Sequence, residues 1–220
     1  MMPLVGAHLV AGPTQVIDLR GISAPPTAPP IEHRPAVVPE GSLHSSAVTY
    51  SIGDPTPEEQ LYIEMINRAR ANPVAEAQTF ATTTDAEVIA NYDFYQVDLG
   101  LMQQQFAVIP PAPPVAPNAQ LAEAARRHSA DMLQNSFQEH VGSDGSNPGQ
   151  RVQAAGYPIR LVGENVYANG RSVFHGHTAF EVDWGPGPGG MQTPPGHRNS
   201  IHSPDFREIG TQSGDKGGAE

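Results

Sequence analysis

Gly163-Glu164-Asn165-Val166 is the stretch on which the reading of this chain turns. A short apolar run at residues 159–162 predicts a strand, and the tetrapeptide follows it. Ser172 to Trp184 then carries a helical pattern, weakened by Gly176. A Gly/Pro loop fills residues 185–196, residues 197–201 predict one helical turn, and residues 206–210 predict the start of a strand. Glu164, Glu181, Asp183 and His197, the residues here best suited to chemistry, therefore all belong to this one short segment.

Working outward, the clearest helix lies upstream. Asn118 can cap it, Leu121, Ala125, His128 and Met132 share one face, and it ends near Asn135. Gly142-Ser143-Asp144-Gly145 is a loop, and Ser146 predicts the cap of a short helix that stops at Gly156. Nearer the start, Thr56, Pro57 and Glu59 form a capping box ahead of Leu61, Met65, Ile66 and Ala69. Asn72-Pro73 stops that helix and caps a second one reaching about Phe80. Residues 82–117 read as an insertion able to pack a helix or two, closing on Pro110-Pro111-Ala112-Pro113-Pro114. Residues 1–54, with Pro25, Pro26, Pro29, Pro30, Pro35 and Pro39, read as a flexible Pro-rich leader in which 16–19 is a short strand-like run. Residues 213–220 read as a polar tail.

Composition narrows the function classes. A chain of 220 residues suits one domain plus a leader, its core drawn from about 55–210. The formal net charge of −11, without a Lys/Arg cluster, argues against nucleic acid as a partner. No apolar run reaches the ~18 residues of a membrane span. With no Cys, disulfides and thiolate chemistry are excluded. Residues 1–19 lack a basic start and a continuous apolar run, so export would need another route or a start further upstream.

The sharpest chemical set is His140, Glu164, Glu181 and His197. Imidazole and carboxylate suit zinc and similar divalent ions. Spacing alone does not bring these four together, and no His-Glu-x-x-His pair is present. The order of motifs says more. His140-Val-Gly-Ser-Asp-Gly, Arg151 with Ala155-Gly156-Tyr157, Gly163-Glu164-Asn165-Val166, Trp184, Pro195-Gly196-His197-Arg198 and Phe206-Arg207-Glu208-Ile209-Gly210 follow one another. Upstream stand Asn67-Arg68, Arg70, Asn72-Pro73, and Leu121 through His128-Ser129 to Asp131-Met132. This set resembles a bacterial, cysteine-free domain of the CAP superfamily (cysteine-rich secretory, antigen 5 and pathogenesis-related proteins), over roughly residues 57–210.

The resemblance implies an α+β fold, a three-layer α-β-α sandwich with an antiparallel central sheet, within a CAP domain at 55–212. It implies a cavity tetrad of His140, Glu164, Glu181 and His197, with Asp183 competing for the second acidic place and Asn165 and His177 also in the ligand cavity. Zinc or another divalent metal is the implied cofactor, and a peptide, glycan or lipid the implied ligand of a secreted or surface-exposed monomer. The family continues past the Gly210 position into two strands, which are expected to be missing here. The rival readings are a metal-assisted hydrolase, with Glu164 or Glu181 as general base, and an inert structural or adhesion module. Plainer roles stand beside these. His128 reads as a hydrogen-bonded core residue, His175 and His177 as solvated, although His177 and Glu181 stand at i, i+4. Asp144-Gly145 reads as turn chemistry, and Ser129 and Ser143 lack a placed His–Asp partner. Phe180 and Trp184 read as core.

Overall fold

The computed structural model describes the backbone of residues 4–11 and the chain from 51 to 214. Helix α1 (Pro57–Ala71) opens on the predicted capping box, with Thr56 Oγ1 accepting from the Glu59 amide and the Glu59 carboxylate accepting from the Thr56 amide. Asn72 then caps α2 (Pro73–Ala81) through the Ala75 amide. The insertion forms α3 (Ala86–Tyr95) and α4 (Leu99–Ala107), each capped by an aspartate, Asp85 and Asp98. After the proline run come β2 (Ala116–Pro117) and α5 (Ala119–Asn135), the latter capped by Asn118 as expected. Helix α6 (Pro148–Ala154) is capped by Asn147 rather than Ser146. Then follow β3 (Val162–Gly170), α7 (Val173–Val182), α8 (Gly196–His202) and β4 (Glu208–Gly214).

Three expectations change here. The Gly163-Glu164-Asn165-Val166 run lies inside strand β3 instead of following a strand at 159–162. Residues 4–11, expected to belong to the leader, form strand β1 (Leu4–Ala11). The strand-like run at 16–19, the rest of the leader and the end of the tail lie outside the described residues. The sheet runs β2-β4-β1-β3, so the strand nearest the start of the chain sits between two strands from its second half. Strand β1 is antiparallel to β3 and to β4, whereas β2 is parallel to β4. The sheet is therefore mixed, and the expectation of a wholly antiparallel one is corrected.

Period-2 alternation separates the helices that flank the strands. On β4, Ile209 packs with Ile63 and Ile66 of α1, with Phe180 of α7 and with Ile201 of α8. Thr211 donates to the Glu59 carbonyl on that same side. Between them, a Cβ at Gly210 would collide with the backbone of Leu121 and Ala122 in α5. On β3, Val166 packs with Leu121, Met132 and Val152 of α5 and α6, while Tyr167 packs against Phe180. One apolar cluster thus lies under α5 and α6, and others lie under α1, α7 and α8. The insertion adds its own cluster, in which Val88, Met102 and Phe106 pack with Phe80, Val182 and Trp184. Gly176, which weakened the helical reading of α7, is explained by α1: a Cβ there would strike the Tyr62 hydroxyl.

The closeness of α5 to β4 at Gly210 gives a direct test. Gly210→Ala is expected to cost about 3 kcal/mol, at the upper end of overpacking penalties because backbone on the far side cannot rotate away. Gly196→Ala, at the start of α8 where a Cβ meets nothing within 4 Å, should not destabilise the chain and is expected to stabilise it by at most about 1 kcal/mol. Denaturant unfolding of the two variants against the parent chain checks the pair.

Candidate functional site

Glu164 gathers the polar groups on the α5–α6 side of β3. Its carboxylate accepts from His140 Nδ1 at 3.0 Å and from Arg151 Nη2 at 2.7 Å, and the side chain is 1% exposed. His128 Nε2 lies 3.9 Å away and donates instead to the Glu139 carbonyl, at 2.8 Å. Burial pushes the His128 pKa down despite the nearby Glu164, so the ring is neutral and its buried Nδ1 is a bare acceptor without a partner. His140 behaves in the opposite way. The Glu164 hydrogen bond pushes its pKa up, and half of its side chain faces solvent. Arg151 also donates to the carbonyls of His140 and Ser146, so one guanidinium fixes the loop that carries His140.

An open cleft of about 460 Å³ adjoins this cluster. Arg127, His128, Asp131, Ser143, Asp144 and Arg151 are among its walls. Asp131 is held there by the amide of Ser143 at 2.8 Å and by the Ser143 hydroxyl at 2.5 Å. Asp144 accepts from the Ser146 amide, which is the turn chemistry expected of it.

A second polar cluster lies on the other side of β3. Asp183, fully buried and at φ 56°, accepts from His197 Nδ1 at 2.7 Å and from the His197 amide at 3.0 Å. The Asn165 amide group donates to the His197 carbonyl. Glu181 accepts from His202 Nε2 at 2.9 Å, and its other oxygen, like His202 Nδ1, is buried without a partner. His177 is fully buried against Glu76, which is also clamped by both arms of Arg68. Burial opposes ionisation of Glu76, but the Arg68 and His177 bonds outweigh it and bring its pKa down to about 2.

The family model of the cysteine-rich secretory proteins, CAP, matches residues 111–218. That match supports membership of the CAP superfamily. No curated protein and no solved structure matches it. The match begins at the proline run, so α1 through α4 lie ahead of it, whereas the sequence resemblance was drawn from residue 57.

Within this CAP domain the four residues of the expected tetrad stand in three pairs. His140 meets Glu164, His197 meets Asp183, and Glu181 meets His202. Glu164 points to the α5–α6 side while its neighbours Gly163 and Asn165 face α8, through Ser200 and His197. Among the described residues, no three His, Cys, Asp or Glu converge in a way that could hold a metal ion. As placed, the four residues stand in separate pairs rather than around one point. Of the other candidates, Asp183 is the partner of His197, Asn165 its backbone anchor, and His177 a buried partner of Glu76. The expectation of solvated His175 and His177 is corrected, since they are 2% and 0% exposed. His128, Phe180 and Trp184 are buried as expected. Sequence reasoning missed Arg151 and His202 as site residues. Arg151 stood in a quoted motif, but nothing local marks a guanidinium that reaches a carboxylate thirteen residues on.

The His140–Glu164 pair yields a titration. The His140 ring should titrate above its ordinary 6.5, and Glu164→Gln should bring it back down, as read from ring-carbon NMR shifts. Because the folded pKa is the higher one, the stabilisation from this pair is fully present below pH 6.5 and is lost as pH rises through the folded value. The Glu164→Gln chain should therefore lack that part of the pH dependence of its melting midpoint.

Proposed function

We propose that this CAP domain is a metal-free binding module that acts outside the cell and captures a polar ligand, a peptide or glycan segment, in the cleft beside Glu164. The cleft itself carries the reading. Its walls pair cationic Arg127 and Arg151 with anionic Asp131 and Asp144 and add hydroxyl and amide groups from Ser143, Ser146 and Gln150. Such a surface suits a hydrogen-bonding ligand better than a lipid chain, which would leave those groups dehydrated. Glu164, neutralised by Arg151 and His140, holds the cleft's edge in place, and the outer nitrogen of His140 remains for a ligand. The helices on both sides of β3 and β4 support reading the fold as the expected α-β-α sandwich. The matched family's description as secretory supports the extracellular placement, and among the described residues no helix is long and apolar enough to cross a membrane.

A second reading, hydrolysis, is favoured by the Asp183–His197 pair alone. A buried carboxylate on Nδ1 fixes the tautomer and leaves Nε2 as a base.

The deciding experiment is selection from an immobilised random dodecapeptide library and a printed oligosaccharide array. A selected ligand should lose about tenfold in affinity in Arg127→Ala, the equivalent of ~1.4 kcal/mol, and release no cleavage product on prolonged incubation. Zinc should leave the melting midpoint unchanged. Selection of nothing, or of ligands indifferent to Arg127→Ala and Ser143→Ala, overturns the cleft reading. A zinc-dependent rise in midpoint that disappears in His140→Ala restores the metal site, and cleavage abolished by His197→Ala moves the assignment to the hydrolase.

A further inference from the structure

Strand β1 is the least expected member of the sheet, and its position is unusual for a segment so remote in sequence. It fills an interior place, paired with β3 on one edge from Leu4↔Gly170 to Ala11↔Val162, with a register shift between Leu4 and Gly6, and with β4 on the other from Val5↔Gly214 to Ala11↔Glu208. Each edge carries seven paired positions. Among the described residues no other pairing joins β3 to β4. Both of these strands lie within the family match at 111–218, and β1 does not. The next described element after β1 starts at Pro57.

From this topology we propose that the gap between β3 and β4 is a strand-acceptor slot, and that residues 4–11 are its separable occupant. The CAP domain is then completed by strand addition, the mode in which an extended peptide pairs through its backbone with an open sheet edge. Here both edges are open to the incoming strand, which doubles the backbone pairing that a one-edged groove provides. The segment Leu4-Val-Gly-Ala-His-Leu-Val-Ala contains no proline and no acidic residue, so every position can donate to a ladder. The prolines of the first 50 residues lie outside it, at Pro3 and from Pro13 onward. Covalent attachment supplies a high local concentration of the strand, while the pairing itself needs no continuous chain.

The slot also bears on the cleft, because the strand that carries Glu164 is one of its walls. Leu9 pairs with Glu164, His8 with Asn165 and Val10 with Gly163. An occupied slot therefore fixes the backbone from which Glu164 reaches toward α6 and Asn165 toward α8. This inference rests on pairing alone and stands whether or not the cleft binds a ligand.

The test keeps the full chain and cuts it once. A site-specific protease sequence is inserted after Ala28, the folded protein is cleaved, and the products are run on gel filtration without denaturant. The N-terminal piece is expected to co-elute with the domain. His8→Pro, which removes a ladder donor in mid-strand, is expected to abolish co-elution and to lower the melting midpoint of the uncut chain by about 5 °C or more. A synthetic peptide of residues 1–14 in excess should restore the midpoint of the cleaved His8→Pro protein, and the same peptide carrying proline at position 8 should not. Separation of the pieces with an unchanged midpoint overturns the proposal. Co-elution that survives His8→Pro, or a lowered midpoint that the peptide fails to restore, overturns it as well.

Discussion

Two buried arginines with no carboxylate partner among the described residues fix the architecture around the candidate residues. Arg70, 1% exposed, donates to the carbonyls of Pro113, Ile201, Ser203 and Phe206. A single guanidinium thus ties α1 to the end of the proline run, to the last turn of α8 and to the approach to β4. Burial lowers its pKa to about 10, which still leaves it cationic at neutral pH. Arg198, equally buried, donates to the Glu181 and Val182 carbonyls and to the side chain of Gln105. Carbonyls in the last turn of a helix have no partner within it, so Arg198 satisfies the end of α7 and ties it to α8 and α4. The planar fork of arginine suits this task, because it reaches several carbonyls at fixed angles where a lysine would offer one point charge.

These anchors also place the His197–Asp183 pair. Asp183 is the residue after α7, in a left-handed conformation that a non-glycine residue adopts at some cost. Arg198 grips the two carbonyls just before it, and the Asp183 carboxylate grips the residue just before Arg198. The end of α7 and the start of α8 are thus laced together by bonds running both ways. The His197 ring lies against Phe180 with 5.2 Å between centroids, so its free nitrogen has little choice of direction. The pair is held more tightly than His140, whose ring is half exposed and is fixed only through Glu164.

Much of the fold was legible because its signals are local. Caps at Thr56, Asn72 and Asn118 were visible as residue types, and each performs that role. The family was legible through the order of short motifs. What escaped were pairings between distant residues, which leave no local trace. His177 looked solvated because Glu76, its partner, lies 101 residues away. Residues 4–11 looked like part of a leader because an eight-residue apolar stretch shows its role only beside β3 and β4. The choice between Glu181 and Asp183 as the second acidic residue stayed open for a related reason. Glu181 and Asp183 are two residues apart, and only the turn of the chain after Val182 sends Asp183 to His197 and leaves Glu181 to His202.

The division of the expected tetrad follows from the same physics that makes β3 a strand. Consecutive side chains on a strand face opposite sides, so Glu164 and Asn165, adjacent in the motif that identified the family, serve different clusters. Glu164 belongs to His140, Arg151 and the cleft, whereas Asn165 belongs to His197 and through it to Asp183. A one-residue slip of β3 would exchange these assignments, presenting a carboxylate to the His197 loop and an amide to Arg151. Arg151 would then be left with one side of its charge uncompensated, and Asp183 would face a second carboxylate nearby. The register of β3 is therefore set from both faces by charge as well as by apolar packing. The backbone of β3 is the element that the two polar clusters share, and the pairing of that backbone with β1 holds both in their places.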